Sequence, residues 1–118
     1  MMILALPVPP SVNALYANRR RGRGGRTKTR AYKAWVDQAD RYYLLQKRSI
    51  KPLSGSLDII VSIPANVRGD VSNRIKAVED FLVSRGLTGD DRHNWSVTIK
   101  RDKSIACCVV IAKPNVGT

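Results

Sequence analysis

The sequence predicts a small α+β domain, with a mixed sheet of about four strands packed against two main helices. Three observations predict it. Short β-branched runs alternate with two stretches of helical periodicity, in the order strand, helix, strand, helix, strand, strand. The 118 residues suffice for one modest core and not for two, so residues 1–118 are read as one domain. Hydrophobic residues make up 43% and charged residues 25%, the balance of a chain that folds.

The elements follow in order. Met2 to Val8 alternates weakly and is stopped by Pro7, Pro9 and Pro10, so a short strand gives way to a loop. Asn18 to Lys33 carries eight Lys/Arg and no acid, with Gly22, Gly24 and Gly25 inside; it reads as a mobile, solvated loop over residues 18–30. Thr29 is placed to cap a helix reaching about Arg48. Its apolar positions Tyr32, Trp35, Val36, Ala39, Tyr43 and Leu44 recur at helical spacing. Lys51 to Ser56 is a turn, and Leu57 to Ile63 a strand.

Asp70 to Arg85 is the clearest helix, with Val71, Ile75, Val78 and Leu82 in one stripe and Gly86 where a C-terminal cap belongs. Gly89-Asp90-Asp91 is a turn. Trp95 to Arg101 alternates, with Trp95, Val97 and Ile99 on one face. Asp102-Lys103 is placed to turn a hairpin into Ser104 to Lys113, whose apolar run suggests a central strand buried on both sides.

Charge narrows the partners. Lys and Arg number 21 against nine acids, a formal +12, which points to a polyanion and above all to nucleic acid. The charge is uneven, since residues 18–51 hold twelve of the bases and only Asp37 and Asp40 as acids. The longest apolar run, Ile105 to Ala112, is eight residues, where a membrane span needs roughly 20. No basic segment precedes the apolar start, so a signal peptide is not expected and Asn94-Trp95-Ser96 is no glycosylation site. Adjacent Cys107 and Cys108 point to opposite faces of a strand and read as two buried thiols in a reducing cytoplasm. No zinc pattern exists.

Carboxylates repel phosphates, so their places in a basic chain are informative. Asp70 stands at a helix start, and Asp90 and Asp91 at the turn after that helix. The next strand can run back toward Asp70. Hard oxygen donors of this kind suit Mg²⁺, which takes one or two carboxylates plus substrate phosphates. Each acid also has a plain structural reading: Asp70 as an N-cap, Asp90-Asp91 as turn chemistry. Asn73, Lys76 and Asp80 lie opposite the apolar stripe. Lys76 can hold a phosphate there, or simply pair with Asp80.

Other signals fade. Gly22 to Thr29 nearly spells a phosphate loop, but Thr27 stands where the second glycine is required. His93 is the only histidine, which excludes a two-histidine metal motif. No serine has an evident base partner. Tyr16 and Trp35 are able to stack on bases, although Trp35 sits in the core stripe.

Three ordered stretches carry a family resemblance. They are Leu6-Pro-Val-Pro-Pro-Ser-Val-Asn13, Arg68-Gly-Asp-Val-Ser-Asn-Arg-Ile-Lys-Ala-Val-Glu-Asp80, and Gly86-Leu-Thr-Gly-Asp-Asp91 leading into a strand. With the basic loop and the Tyr/Trp-bearing helix between them, the chain resembles the RusA-type Holliday junction resolvases, small endodeoxyribonucleases common in phages and prophages. The resemblance implies a homodimer that nicks two opposed strands of a four-way DNA junction with Mg²⁺, or Mn²⁺ in its place. Asp70 and Asp91 match metal-binding catalytic acids, with Asp90 adjoining the second. Lys76 matches a basic residue needed for cleavage, and Asn73 belongs to the same helix-start signature. One position departs: the family's helix start reads Asp-x-Asp-Asn, and here the second acid is Ser72. Asp90 or Asp80 is then expected to compensate, or the metal to bind weakly.

The expected phosphate grip is Arg19, Arg20, Arg21, Arg23, Arg26, Lys28 and Arg30, with Arg68 and Arg74 beside the first acid. Two symmetric cuts call for a twofold dimer independently of the resemblance. The rival readings are a non-catalytic, architectural DNA-binding protein and a small RNA-binding protein or RNase.

Overall fold

In the computed structural model the described residues are 1–11, 16–18, 26–69, 71–89 and 94–115. The α+β expectation holds: a four-stranded mixed sheet carries two helices. Among the described residues six strands and two α-helices follow one another: β1 (Met2–Leu6), β2 (Tyr16–Asn18), β3 (Arg26–Lys28), α1 (Arg30–Gln46), β4 (Leu57–Pro64), α2 (Ile75–Ser84), β5 (Ser96–Asp102) and β6 (Cys108–Pro114). The main sheet runs β1-β6-β4-β5. β6 is antiparallel to both β1 and β4, while β5 lies parallel to β4 in the register Asp58↔Ser96 through Pro64↔Asp102.

The expected β5–β6 hairpin is corrected, because β4 lies between the two strands. β4, α2 and β5 form a parallel crossover unit, which places β5 beside β4. Residues 103–107 then carry the chain past the end of β4, where Ala65 N–H donates to Asp102 O at 3.0 Å. A second correction concerns the basic loop. Its flanks Tyr16–Asn18 and Arg26–Lys28 pair as a two-stranded antiparallel ladder, a sheet of their own.

Helix α1 begins where the sequence placed it. The Thr29 side chain accepts from Tyr32 N–H at 3.1 Å, meeting one of the unpaired first-turn donors. Tyr32, Trp35 and Ala39 are buried from this helix, and Val36 and Tyr43 pack beside them. Leu44, expected in the same stripe, is 64% exposed. Trp35 belongs to the core: its indole Nε1–H donates to Pro7 O at 3.0 Å, and its ring meets Phe81 edge-on at 5.8 Å.

The second helix starts later than expected. Val71–Arg74 is a 3-10 turn, and α-helical bonding begins at Ile75. Ala77, Val78, Phe81 and Leu82 are its buried positions, while Val71 and Ile75 pack at the core's edge. It ends as predicted at Gly86, whose φ of +69° only glycine adopts without strain. Leu87 N–H then reaches Leu82 O at 2.9 Å and Gly86 N–H reaches Val83 O at 3.0 Å, the paired closure of a Schellman cap.

One core joins the helices to one sheet face. Met2, Leu4 and Leu6 of β1, Leu57, Ile59, Val61 and Ile63 of β4, and Cys108, Val110 and Ala112 of β6 alternate into it. Val97 and Ile99 of β5 pack against it, but Trp95 of the same alternation is 73% exposed. Cys108 is buried as expected, whereas Cys107 is only half-buried. Burial, with the neighbouring Cys107, pushes the Cys108 thiol up to about 12, so it stays protonated and is no nucleophile.

Candidate functional site

Asp70, Asp90 and Asp91, the acids predicted to hold a metal, lie outside the described residues, as do Arg19, Arg20, Arg21, Arg23 and His93. The elements that lead to these positions are described. β4 ends at Pro64, and residues 65–69 lead to position 70. Arg101 on β5 gathers this loop. Its Nη1 donates to the carbonyls of Ala65 (3.1 Å) and Val67, and its Nη2 to that of Gly69 (2.6 Å). Gly69 itself has φ +86°, which lets the backbone turn just before position 70.

Arg74 fastens the same region from the other side. Its Nη1 donates to Pro9 O at 2.6 Å and its Nη2 to Arg68 O at 3.4 Å. Expected among the phosphate contacts, Arg74 has both Nη groups on backbone carbonyls, tying the Pro-rich segment after β1 to the loop before α2. Two arginines therefore brace residues 65–69, and neither role was legible as such. The only sequence signal was their placement, one at the second motif and one at the end of a strand.

Around this brace stand several predicted residues. Ser72 is exposed on the 3-10 turn, and Asn73 is half-buried. Arg68 is exposed beside Gly69. Lys76 and Asp80 share the outer face of α2, and Lys76 Nζ lies 3.1 Å from Asp80 Oδ1, so the pairing alternative is the one seen. A shallow cavity of about 400 Å³ opens next to the loop, lined among others by Val8, Asn66, Val67, Lys103 and Ile105. Arg30 is exposed on the first turn of α1, with Lys33 and Arg41 exposed further along that helix. Arg26 and Lys28 belong to β3.

The chain on either side of 90–93 is at the other end of the sheet. Leu53 N–H donates to Leu87 O at 2.9 Å, and Trp95 N–H donates to Leu57 O at 2.7 Å, at the start of β4. Eight residues of β4 separate this end from the Arg101–Gly69 end, about 23 Å at roughly 3.3 Å per residue.

Among the described residues no three His, Cys, Asp or Glu side chains are gathered to hold a metal. The helices are tied by Asp40 and Arg85, whose bidentate contact measures 2.5 and 2.6 Å. The Arg85 guanidinium also lies over the Phe81 ring at 4.9 Å. Its hydrogen bond holds the Asp40 carboxyl below the usual carboxylate range, against partial desolvation. No helix among the described residues is long and apolar enough to cross a membrane. Compared with known proteins, the chain matches no protein-family model and no curated protein.

Proposed function

We propose that this protein is a metal-dependent, structure-selective DNA endonuclease that nicks opposed strands of four-way junctions, acting as a homodimer in the cytoplasm. The observation that carries the reading is the Arg68-to-Asp80 motif and its setting. The motif falls where a parallel strand ends and a helix begins, on a loop braced by Arg101 and Arg74. Backbone braced in this way gives the loop that leads to position 70 a defined path. The basic flank supports a polyanionic substrate: Arg30, Lys33 and Arg41 line exposed positions of α1, next to the arginine-rich segment.

The donor chemistry fits a hard divalent cation. Asp70 and Asp91, with Asp90 beside it, would supply carboxylate oxygens to Mg²⁺ or Mn²⁺. When bound, such an ion polarises the phosphoryl group and lowers the pKa of a coordinated water. The chain's own residues do the rest. Lys76, on the exposed face of α2, offers an ammonium to a phosphate oxygen, exchanging it for Asp80. Asn73 offers amide hydrogen bonds at the helix start. The arginine-rich segment holds backbone phosphates, which positions DNA without reading its sequence.

The test is direct. Asp70→Asn and Asp91→Asn should each retain junction binding and lose nicking in Mg²⁺. Full cleavage by both variants would remove the acids from the mechanism. Tight binding with no cleavage by the unaltered chain would instead favour the architectural reading, to which Ser72 at the usual acid position lends weight.

A further inference from the structure

Helix α1 spends one face on the core, and its last turns carry two leucines on the other. Leu44 is 64% exposed and Leu45 90%. Single exposed leucines are ordinary on a protein surface. These two are adjacent and share their neighbours. Arg41 lies three and four residues before them, and Arg48 four and three residues after them, the spacings that make helix residues neighbours. Both arginines are exposed. The leucines therefore stand between two guanidinium groups, about 10 Å apart along the axis at roughly 1.5 Å per residue.

The charge of this stretch is uncompensated. Residues 41–51 hold Arg41, Lys47, Arg48 and Lys51 and no acid. Among the described residues none of the four enters an ion pair; the pairs seen are Lys76–Asp80 and Arg85–Asp40. Asp40 is thus taken by Arg85, and Asp37, one turn before Arg41, is not paired with it.

The backbone beneath the patch is fixed. Ala5 N–H donates to Gln46 Oε1 and Gln46 Nε2 donates to Ala5 O, both at 2.8 Å, which ties the last turn of α1 to β1. Beyond it, Ile50 N–H closes the 3-10 turn Lys47–Ser49 on Lys47 O at 3.2 Å, and Ser49 Oγ donates to Gln46 O at 2.9 Å. A partner meets a preformed surface and loses little by ordering it.

We propose that this end of α1 is a docking surface for an acidic, amphipathic segment of another protein, with carboxylates on Arg41 and Arg48 and apolar side chains on Leu44 and Leu45. The proposal stands apart from the nuclease reading. Charge complementarity selects the partner's sign, and the leucines select its class. Phosphates would take the arginines and leave both leucines in water. An amphipathic peptide covers all four side chains. A helix lying in a lipid interface needs a whole apolar face, and the apolar face of α1 is already in the core.

Fluorescence anisotropy of the full chain with a labelled synthetic peptide tests this. The peptide carries two glutamates about seven residues apart, two turns of a helix, with leucine and phenylalanine between them. Binding on the order of 10 micromolar is expected. Leu44→Ser and Leu45→Ser should each weaken it about tenfold, with unchanged circular dichroism and unchanged affinity for DNA. A peptide with one glutamate changed to lysine should lose affinity for the unaltered chain and recover it with Arg48→Glu. No binding of the peptide, or binding indifferent to the leucine and Arg48 changes, would overturn the proposal. So would leucine variants that lose affinity for duplex DNA or for phosphatidylserine vesicles as steeply as for the peptide, since the patch would then serve nucleic acid or lipid.

Discussion

The guanidinium of Arg101 donates to the carbonyl oxygen of Gly69 at 2.6 Å, so the last strand of the crossover unit holds the residue before Asp70. The same group takes the carbonyls of Ala65 and Val67. On the proposed nuclease reading Arg101 acts through the loop, as a positioning residue. Arg101→Ala should leave the fold and junction affinity nearly unchanged while lowering kcat for nicking about 10- to 100-fold. Hydrogen exchange at residues 65–69 should rise in parallel. Arg101→Lys should not rescue, because one ammonium lacks the planar fork that reaches three carbonyls. A variant with normal kcat and a loosened loop would dissociate the brace from catalysis.

The Asp40–Arg85 pair predicts a pH effect on stability. Both side chains are partly exposed, 36% and 28%, so the pair is worth about 1 kcal/mol at most after solvent screening. The folded-state pKa of Asp40 is lowered. Its contribution is then fully present above the ordinary carboxylate pKa and is lost as pH falls through the lowered folded value. Asp40→Asn should lower the Tm at neutral pH and show a shallower loss of stability on acidification. Parallel acid limbs for the two proteins would contradict the assignment.

The arginine-rich segment predicts a salt signature. Replacing Arg19, Arg20 and Arg21 by alanine should weaken DNA binding across sequences. Each phosphate contact removed should reduce the slope of log affinity against log salt by about 0.9. An unchanged slope would mean that this segment is not the grip.

Two experiments address the acids. Ser72→Asp restores the carboxylate that the family pattern has at this position and should lower the Mg²⁺ concentration needed for half-maximal nicking. Ser72 is exposed, so the change should leave the free energy of unfolding within about 0.5 kcal/mol of the unaltered chain's. Mixing inactive Asp70→Asn with inactive Asp91→Asn should recover nicking if each site draws acids from both chains, as expected from their flanks at opposite ends of β4. No recovery on mixing, with dimers exchanging freely, would place each pair within one chain.

Much of the fold was legible because it is local. Thr29 announces α1 by its hydroxyl, Gly86 ends α2 by its backbone freedom, and β-branched runs mark β4 and β6 as strands, although β6 is buried fully on one face only, at Cys108, Val110 and Ala112, and not on both as expected. The pairing of β5 was not legible. Asp102-Lys103 is good turn chemistry, yet the crossover through α2 sets β5 beside β4, and that is a tertiary constraint. Val71–Arg74 differs for a related reason: the Arg74 contacts to Pro9 and Arg68 hold a tighter turn than the apolar stripe alone suggests. At the candidate site, the acids and Lys76 are singled out by residue type and spacing alone, and the acids lie outside the described residues. The bracing roles of Arg101 and Arg74 were hidden, since an arginine in a basic chain reads first as a phosphate contact.

The measurement that bears most directly on the central claim uses purified protein with a labelled four-way junction, a matched linear duplex and an RNA hairpin. Each is incubated with Mg²⁺ and with EDTA. Paired nicks on opposed strands of the junction are expected in Mg²⁺, none in EDTA, and little cleavage of duplex or RNA. Tight junction binding without cleavage in any metal, or cleavage that persists in EDTA, would contradict it.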